Sequence, residues 1–397
     1  MSKYAIVVVG YNRVNSIARL LSSLEKVNYE DDSIDLIISI DNSGTDIVEQ
    51  YAREYVWKFG RKIIKTYPER LGLRKHILTC GDYVKDYEAI AVFEDDIYVS
   101  PNFYNFMKQS VQFYKNEDNI AGISLYSHLW NEYSSRPFVP EKNRYDTFFM
   151  MYAQSWGQIW IKKQWFDFKK WYLNNSLDLE SYSELPNHIK DWPESSWLKY
   201  HIAYCILNKK YFVYPYVSLT TNFTEIGQHC KVKTSVYQVP ILYDDYNIKY
   251  EFSEFDISNQ NDAVYYDGFF ERVGMGRYIG IDEKEVTMDL YGGKDVNTYK
   301  RYLISCKHLN YKIKKSFSLE LRPHERNIID GIKGDDIYIY DTKEIMKNSY
   351  DNDYDLSRWY YDSRVFDYKY INKVISKIFI KKIKEENILK IIKKLIK

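Results

Sequence analysis

The sequence predicts an open α/β sheet with helices on both faces, followed by a smaller α+β region and a basic amphipathic helix. Three observations carry that expectation. Apolar, β-branched runs alternate with segments of helical spacing through the first half of the chain. The runs are continuous in hydrophobicity, as strands covered on both faces require. Polar residues gather directly after them, and open α/β sheets bind ligands beyond the carboxyl ends of their strands.

The elements follow in order. Ala5-Ile6-Val7-Val8-Val9 is a strand, broken by Gly10 and Asn12. From Val14, the apolar residues Ile17, Leu20, Leu21 and Leu24 recur at helical spacing. Ile34–Ile40 is a second strand, ending in the turn residues Asp41-Asn42-Ser43-Gly44. A helix is expected over Ile47–Phe59, a strand over Lys62–Thr66 and a helix over Leu73–Val84. Ala89–Phe93 is a fourth strand that runs into Glu94-Asp95-Asp96. Asn102–Tyr114 reads as helix and Ile120–Tyr126 as strand. Beyond residue 150 tryptophans become dense, and a helix over Ser195–Leu207 leads to the strand-like Tyr211–Tyr214. Residues 1–235 are expected to form the sheet domain, 236–365 an accessory region and 366–397 the amphipathic helix.

Composition narrows the class. A chain of 397 residues that is 45% hydrophobic can bury a large core. A net charge of +1 argues against a nucleic-acid partner, which demands a strong basic balance. The 41 tyrosines accompany a general richness in Lys, Ile and Asn, so they carry little functional weight. Cys80, Cys205, Cys230 and Cys306 are widely spaced, which suggests neither a zinc site nor a disulfide framework. No run has the length of a signal or membrane-spanning segment, and a cytoplasmic location is expected.

Glu94-Asp95-Asp96 is the strongest candidate for chemistry. Adjacent carboxylates at a strand end repel one another, and a divalent cation offsets that repulsion. Oxygen ligands suit Mg²⁺ or Mn²⁺. A solvated acidic turn is the plain alternative. Two further polar clusters, Tyr11-Asn12-Arg13 and Asp41-Asn42, fall at other strand ends and would converge on the same edge.

Val92-Phe93-Glu94-Asp95-Asp96-Ile97-Tyr98-Val99-Ser100-Pro101-Asn102-Phe103-Tyr104 resembles the DXD segment of GT-A glycosyltransferases. It is similar to the animal N-acetylglucosaminyltransferase family that starts complex N-glycans, and to family 2-like enzymes of bacterial polysaccharide clusters. Val9–Arg13, Ser39–Gly44, Ser155-Trp156-Gly157 and Asp191-Trp192 match in the same order, so the resemblance covers roughly residues 4–235. It implies the GT-A form of the fold, a Rossmann-like open mixed sheet. It also implies a metal-dependent transfer of sugar from a nucleotide-sugar, UDP-linked by preference, to a hydroxyl of a glycan or lipid-linked acceptor.

The implied roles follow residue by residue. Tyr11 and Arg13 flank the nucleotide, Arg13 near the base or the phosphates. Asp41 accepts from the base. Glu94 and Asp95 face the nucleoside and the donor sugar, and Asp96 ligates the metal. Trp156 and Gly157 shape the sugar pocket, with core packing as the plain alternative for Trp156. Asp191 is the general base, with Glu194 as its rival; a helix N-cap before Pro193 is another reading of Asp191. His229 is either a further metal ligand or a surface residue. Asp335-Asp336 precedes its strand instead of ending one, and reads as a turn.

From Tyr370 to Lys397 a row of Ile, Val, Leu and Phe lines one helical face, and lysines fill most other positions. Such a helix fits the anionic inner leaflet, where lipid-linked acceptors lie, or else packs on the protein or on a second subunit as a homodimer. Two other function classes compete. A sugar nucleotidyltransferase needs a Gly-rich phosphate loop after the first strand, which Gly10-Tyr11-Asn12-Arg13 is not. A non-catalytic carbohydrate-binding or scaffold protein on the same fold would show no response to nucleotide-sugars.

Overall fold

The computed structural model describes residues 3–175, 177–223, 235–243, 248–258 and 263–362, with isolated positions at 372, 376, 377 and 380. The chain divides into two compact units, Met1–Asn348 and Ser349–Lys397. In the second unit the described element is a helix over Tyr354–Asp362. His229 and the expected amphipathic helix, apart from those four positions, lie outside the described residues.

The first unit is built on a nine-stranded sheet. Its first strands are β1 (Tyr4–Gly10), β2 (Asp35–Ile40), β3 (Lys62–Thr66) and β4 (Ala89–Glu94), all parallel. After β4 the chain turns into the short β5 (Ile97–Val99), and β6 (Ile120–Ser124) returns to the main sheet. A small ribbon, β7 (Trp130–Asn131) with β8 (Arg136–Pro137), precedes β9 (Thr147–Met150) and β10 (Gln158–Ile161). Then come β11 (Tyr211–Pro215), β12 (Thr220–Asn222) and β13 (Tyr265–Tyr266). The sheet order is β13-β9-β11-β6-β10-β4-β1-β2-β3. β10 lies antiparallel between β4 and β6, and β9 runs antiparallel to β11, so the sheet is mixed as expected.

Alternation along β1 shows why both faces are covered. Ile6 and Val8 join one core with Ile17, Leu20, Leu21 and Leu24 of α1 (Val14–Leu24) and Val48 of α2 (Ile47–Glu54). Ala5, Val7 and Val9 join the other, with Ile77 and Leu78 of α3 (Leu73–Gly81). α4 (Phe103–Tyr114) belongs to the first face, through Phe106, Met107 and Val111. α5 (Lys162–Asn174) belongs to the second, where Trp165 stacks on Trp160 at 4.2 Å. After the single turn α6 (Asn187–Lys190), α7 (Leu198–Leu207) covers that same face. Each Val, Leu, Ile, Phe or Met among them contributes about 1.5–3 kcal/mol on burial, so the alternation pins the register of the sheet.

The remaining sheet follows Tyr265–Tyr266. β14 (Val286–Met288), β15 (Tyr302–Ser305), β16 (Tyr311–Phe317) and β17 (Ile337–Ile345) pair in the order β14-β15-β17-β16, with the short helices α8 (Gly276–Ile279) and α9 (Glu325–Ile329) beside them. Asp335-Asp336 is the turn before β17. β13 lies within the range expected to be accessory, yet it forms the edge of the main sheet beside β9.

Helix ends differ from the sequence expectation where apolar residues serve the core without helical geometry. α2 stops at Glu54 because Tyr55 is extended; Trp57 then packs in the core with its indole donating to the Ile34 carbonyl at 2.7 Å. α7 starts at Leu198, not at Ser195.

Candidate functional site

The carboxyl ends of β1, β2 and β4 lie side by side, because Val9 is in register with both Ser39 and Glu94. The loops that follow therefore open on one edge. Arg13, just before α1, reaches across to the acidic turn. Its Nη2 bonds to Asp95 Oδ1, its Nε donates to Asp95 Oδ2 at 3.2 Å, and its Nη2 donates to Asp96 Oδ2, also at 3.2 Å. Asp95 is buried and Asp96 half-buried. Arg13 Nη1 is buried and has no hydrogen-bond partner among the described residues. Burial pushes the Glu94 carboxyl up to about 8, helped by repulsion from Asp96 and Asp95 and opposed by Arg13 and a hydrogen bond from Trp197.

Asp41, at the end of β2, holds the loop after β3. Its carboxylate accepts from the backbone N–H of Asn42 (2.9 Å), Leu71 (2.7 Å) and Gly72 (2.9 Å). Asn42 Nδ2 donates to the carbonyls of Tyr67 (3.2 Å) and Pro68 (2.8 Å). That loop presents Arg70, whose guanidinium lies 5.0 Å from the centre of the Tyr11 ring. Arg70 was not singled out from sequence. The signal was available, since it follows the carboxyl end of a third parallel strand.

Trp156 and Gly157 reach the same place through the antiparallel strand β10. Gln158 pairs with Val92, so Gly157 lies against Phe93, next to Glu94. Gly157 has φ +94, and a Cβ there would meet Thr220 Cγ2 at 2.7 Å and Phe93 Cε1 at 3.2 Å. Only glycine fits both the backbone and the space. β12 pairs with β5 beyond the acidic turn, and Thr220 Oγ1 donates to the Trp156 carbonyl at 2.6 Å. The Phe223 N–H donates to the Asp96 carbonyl at 3.0 Å. The Trp156 ring is half-buried between Tyr126 and Tyr237, each 4.8 Å away between ring centres. Nothing in the local sequence announced Thr220.

Residues 5–162 match the family model described as glycosyl transferase family 2. That segment is similar to family 2 glycosyltransferases. The match spans β1 to the start of α5, and so includes the loops after β1, β2, β3 and β4 and the segment Ser155–Gly157, but not Thr220, Phe223 or Tyr237. Among solved structures, the chain is similar to TarS 1–349 of S. aureus in complex with UDP-GlcNAc, at 16% identity over 57% of this chain and 60% of that one, with a TM-score of 0.37. It is similar to the mannosyltransferase PcManGT from Pyrobaculum calidifontis in complex with GDP-Man and Mn²⁺, at 13% identity over 54% and 57%, with a TM-score of 0.33. The chain thus spans about three-fifths of the length of each. No curated protein matches the sequence.

Side-chain contacts join residues 5–162 to the segment carrying Asp191 and Glu194. Trp197 bonds Glu94, and Arg74 of α3 lies 3.4 Å from Glu194. Asp191 is exposed and follows α6 as its C-terminal cap, so it is not a helix N-cap; Trp197 precedes α7 in that position. Glu194 is engaged throughout. Its carboxylate accepts from Tyr200 Oη and from Lys199 Nζ at 2.9 Å, and hydrogen bonds from Tyr200 and Lys199 hold it below the ordinary carboxylate range.

The described residues contain no cluster of three or more His, Cys, Asp or Glu side chains able to cage a metal. Asp96 offers one half-buried carboxylate at the edge. Mg²⁺ and Mn²⁺ held on a diphosphate need only one or two protein carboxylates, with phosphate and water completing the shell. The residues present fit a cation carried in with a nucleotide, and not a pre-built cage.

Proposed function

We propose that the protein is an inverting, metal-dependent glycosyltransferase. It moves a sugar from a nucleotide-sugar, UDP-linked by preference, to a hydroxyl of a glycan or lipid-linked acceptor in bacterial surface polysaccharide synthesis. The observation that carries this reading is the acidic turn meeting Arg13, whose buried Nη1 has no partner among the described residues, at the edge shared by Asp41 and Gly157. A buried guanidinium N–H without an acceptor favours an incoming anionic or carbonyl oxygen.

Tyr11, Arg70 and Asp41 with its loop would hold the nucleotide. Glu94, Asp95, Trp156 and Gly157 would border the donor sugar. Asp96, together with His229, would hold Mn²⁺ or Mg²⁺, which supplies positive charge to the leaving diphosphate. The attacking hydroxyl must lose its proton as the new bond forms, and Asp191 is the residue proposed to take it. Both carboxylates are exposed, but Asp191 has no ion pair among the described residues, which supports it over Glu194, which three neighbours engage. One displacement at the anomeric carbon inverts it. The segment 366–397 is proposed to hold the enzyme on anionic lipid; among the described residues no helix is long and apolar enough to cross a membrane.

Thermal shift with UDP-GlcNAc and GDP-Man, with and without Mn²⁺, tests the reading. A Mn²⁺-dependent rise in melting temperature with one donor class is expected, and Asp96→Ala should abolish the Mn²⁺ dependence. If neither donor shifts the wild type with or without metal, the assignment is wrong.

A further inference from the structure

The loop Ser155–Gly157 is held by a buried polar pair, Gln154 and His128, that has no role in the proposed chemistry. Gln154 Oε1 accepts from the backbone N–H of Ser155 (2.6 Å) and Trp156 (3.1 Å). Those two donors fix the orientation of the carboxamide, so the group facing His128 is the Gln154 NH₂. It lies 2.9 Å from His128 Nε2. His128 Nε2 must therefore accept, which puts the imidazole proton on Nδ1. That nitrogen faces Glu132 Oε1 at 3.7 Å, beyond hydrogen-bond reach, and has no hydrogen-bond partner among the described residues. Glu132 Oε2 in turn lies 3.4 Å from Tyr152 Oη. The His128 ring is fully buried, boxed edge-on by Tyr126, Tyr152 and Phe270, and cannot turn away. An apolar ring of the same size would have served the core. The imidazole instead supplies an acceptor for the Gln154 NH₂, which is otherwise buried.

We infer that His128 is a positioning residue for the donor sugar, acting through Gln154 on the Ser155–Trp156 backbone. This rests on the reading of Trp156–Gly157 as the sugar-pocket loop. Without the His128 acceptor, Gln154 keeps only its bonds to the loop N–H groups, and the Ser155–Trp156 backbone is held less firmly. The nucleotide loops at Arg13, Asp41 and Arg70 are anchored separately and do not depend on it.

The test compares sugar recognition with nucleotide recognition. Binding of UDP-GlcNAc, GDP-Man, UDP and GDP is measured with Mn²⁺ for the wild type, His128→Phe and His128→Gln. In His128→Phe the nucleotide-sugar should weaken by about fivefold or more, the equivalent of one lost hydrogen bond. The matching nucleoside diphosphate should stay within about twofold, which also reports an intact fold. His128→Gln returns an acceptor oxygen to Gln154 and should restore most of the loss. Gln154→Met, which removes the loop's acceptor directly, should reproduce His128→Phe and replaces it if that variant does not fold. Equal weakening of nucleotide and nucleotide-sugar, or no weakening of either, overturns the positioning role. If the wild type binds none of the four probes, the glycosyltransferase reading falls first and this inference with it.

Discussion

Asp191 and Glu194 stand one helical turn apart in sequence, but their surroundings separate them. Glu194 is bonded to Tyr200 and Lys199, which stabilise its anion and so weaken it as a base. Asp191 is exposed and carries no such partner among the described residues. Asp191→Asn should lower the transfer rate by about 10²–10⁴-fold with donor affinity unchanged. Glu194→Gln should cost less than about tenfold, through looser packing of Arg74 and Lys199. Single-turnover rates beside donor binding separate the two; a larger loss at Glu194 would reverse the assignment. The surroundings of Arg13 are equally specific. Sequence could place it near base or phosphate, whereas the fold commits two of its nitrogens to Asp95 and Asp96.

At the level of elements, the site depends on strands and loops that bring remote segments together. β10 is the main example. It inserts antiparallel beside β4, so Gly157 arrives next to Glu94 although 62 positions separate them in a chain whose first strands are all parallel. Gly157→Ala would force a Cβ into Thr220 and a side-chain residue into a left-handed φ. It should lower unfolding free energy by roughly 1–3 kcal/mol in urea titration and weaken donor binding at the same time. The loop after β3 makes a second case. Asp41 holds it by two backbone N–H bonds, so Asp41→Ala should loosen Arg70 as well as remove a carboxylate. Its effect on nucleotide affinity should exceed that of Arg70→Ala, as measured by calorimetry.

For the molecule as a whole, buried titratable groups make stability depend on pH. Burial raises the Glu132 carboxyl to about 7, from an ordinary value near 4.3 in the unfolded chain. Between those values the folded state keeps a proton that the unfolded state releases. This contribution is full below about pH 4.3 and is lost as pH rises through about 7. Glu132→Gln should remove that dependence. The unfolding free energy of the variant relative to wild type should then rise by roughly 1 kcal/mol per pH unit up to about pH 7 and level off. A flat difference in urea titrations at pH 5, 6 and 7 would show that Glu132 is solvated. Lipid attachment belongs to this scale too. Flotation with anionic vesicles should be lost on deleting the residues after 369, and unchanged flotation would remove the membrane role from that segment.

The sequence by itself determined the parallel core of β1 to β4, the helices on both faces and the acidic turn at a strand end. These features follow from local periodicity and from hydrophobic runs that end in polar residues, and neither needs a distant partner to be recognised. It also pointed to Gly157 and Asp41 as positions of consequence. Only the tertiary structure decided that β10 and β9 run against their neighbours, that Tyr265–Tyr266 closes the sheet edge, and that Thr220, Trp197 and His128 support the site. Those facts depend on which remote segments meet. Strands of four residues or fewer carry too little pattern to declare their partners, and a buried histidine looks the same in sequence whether it fills the core or orients a loop.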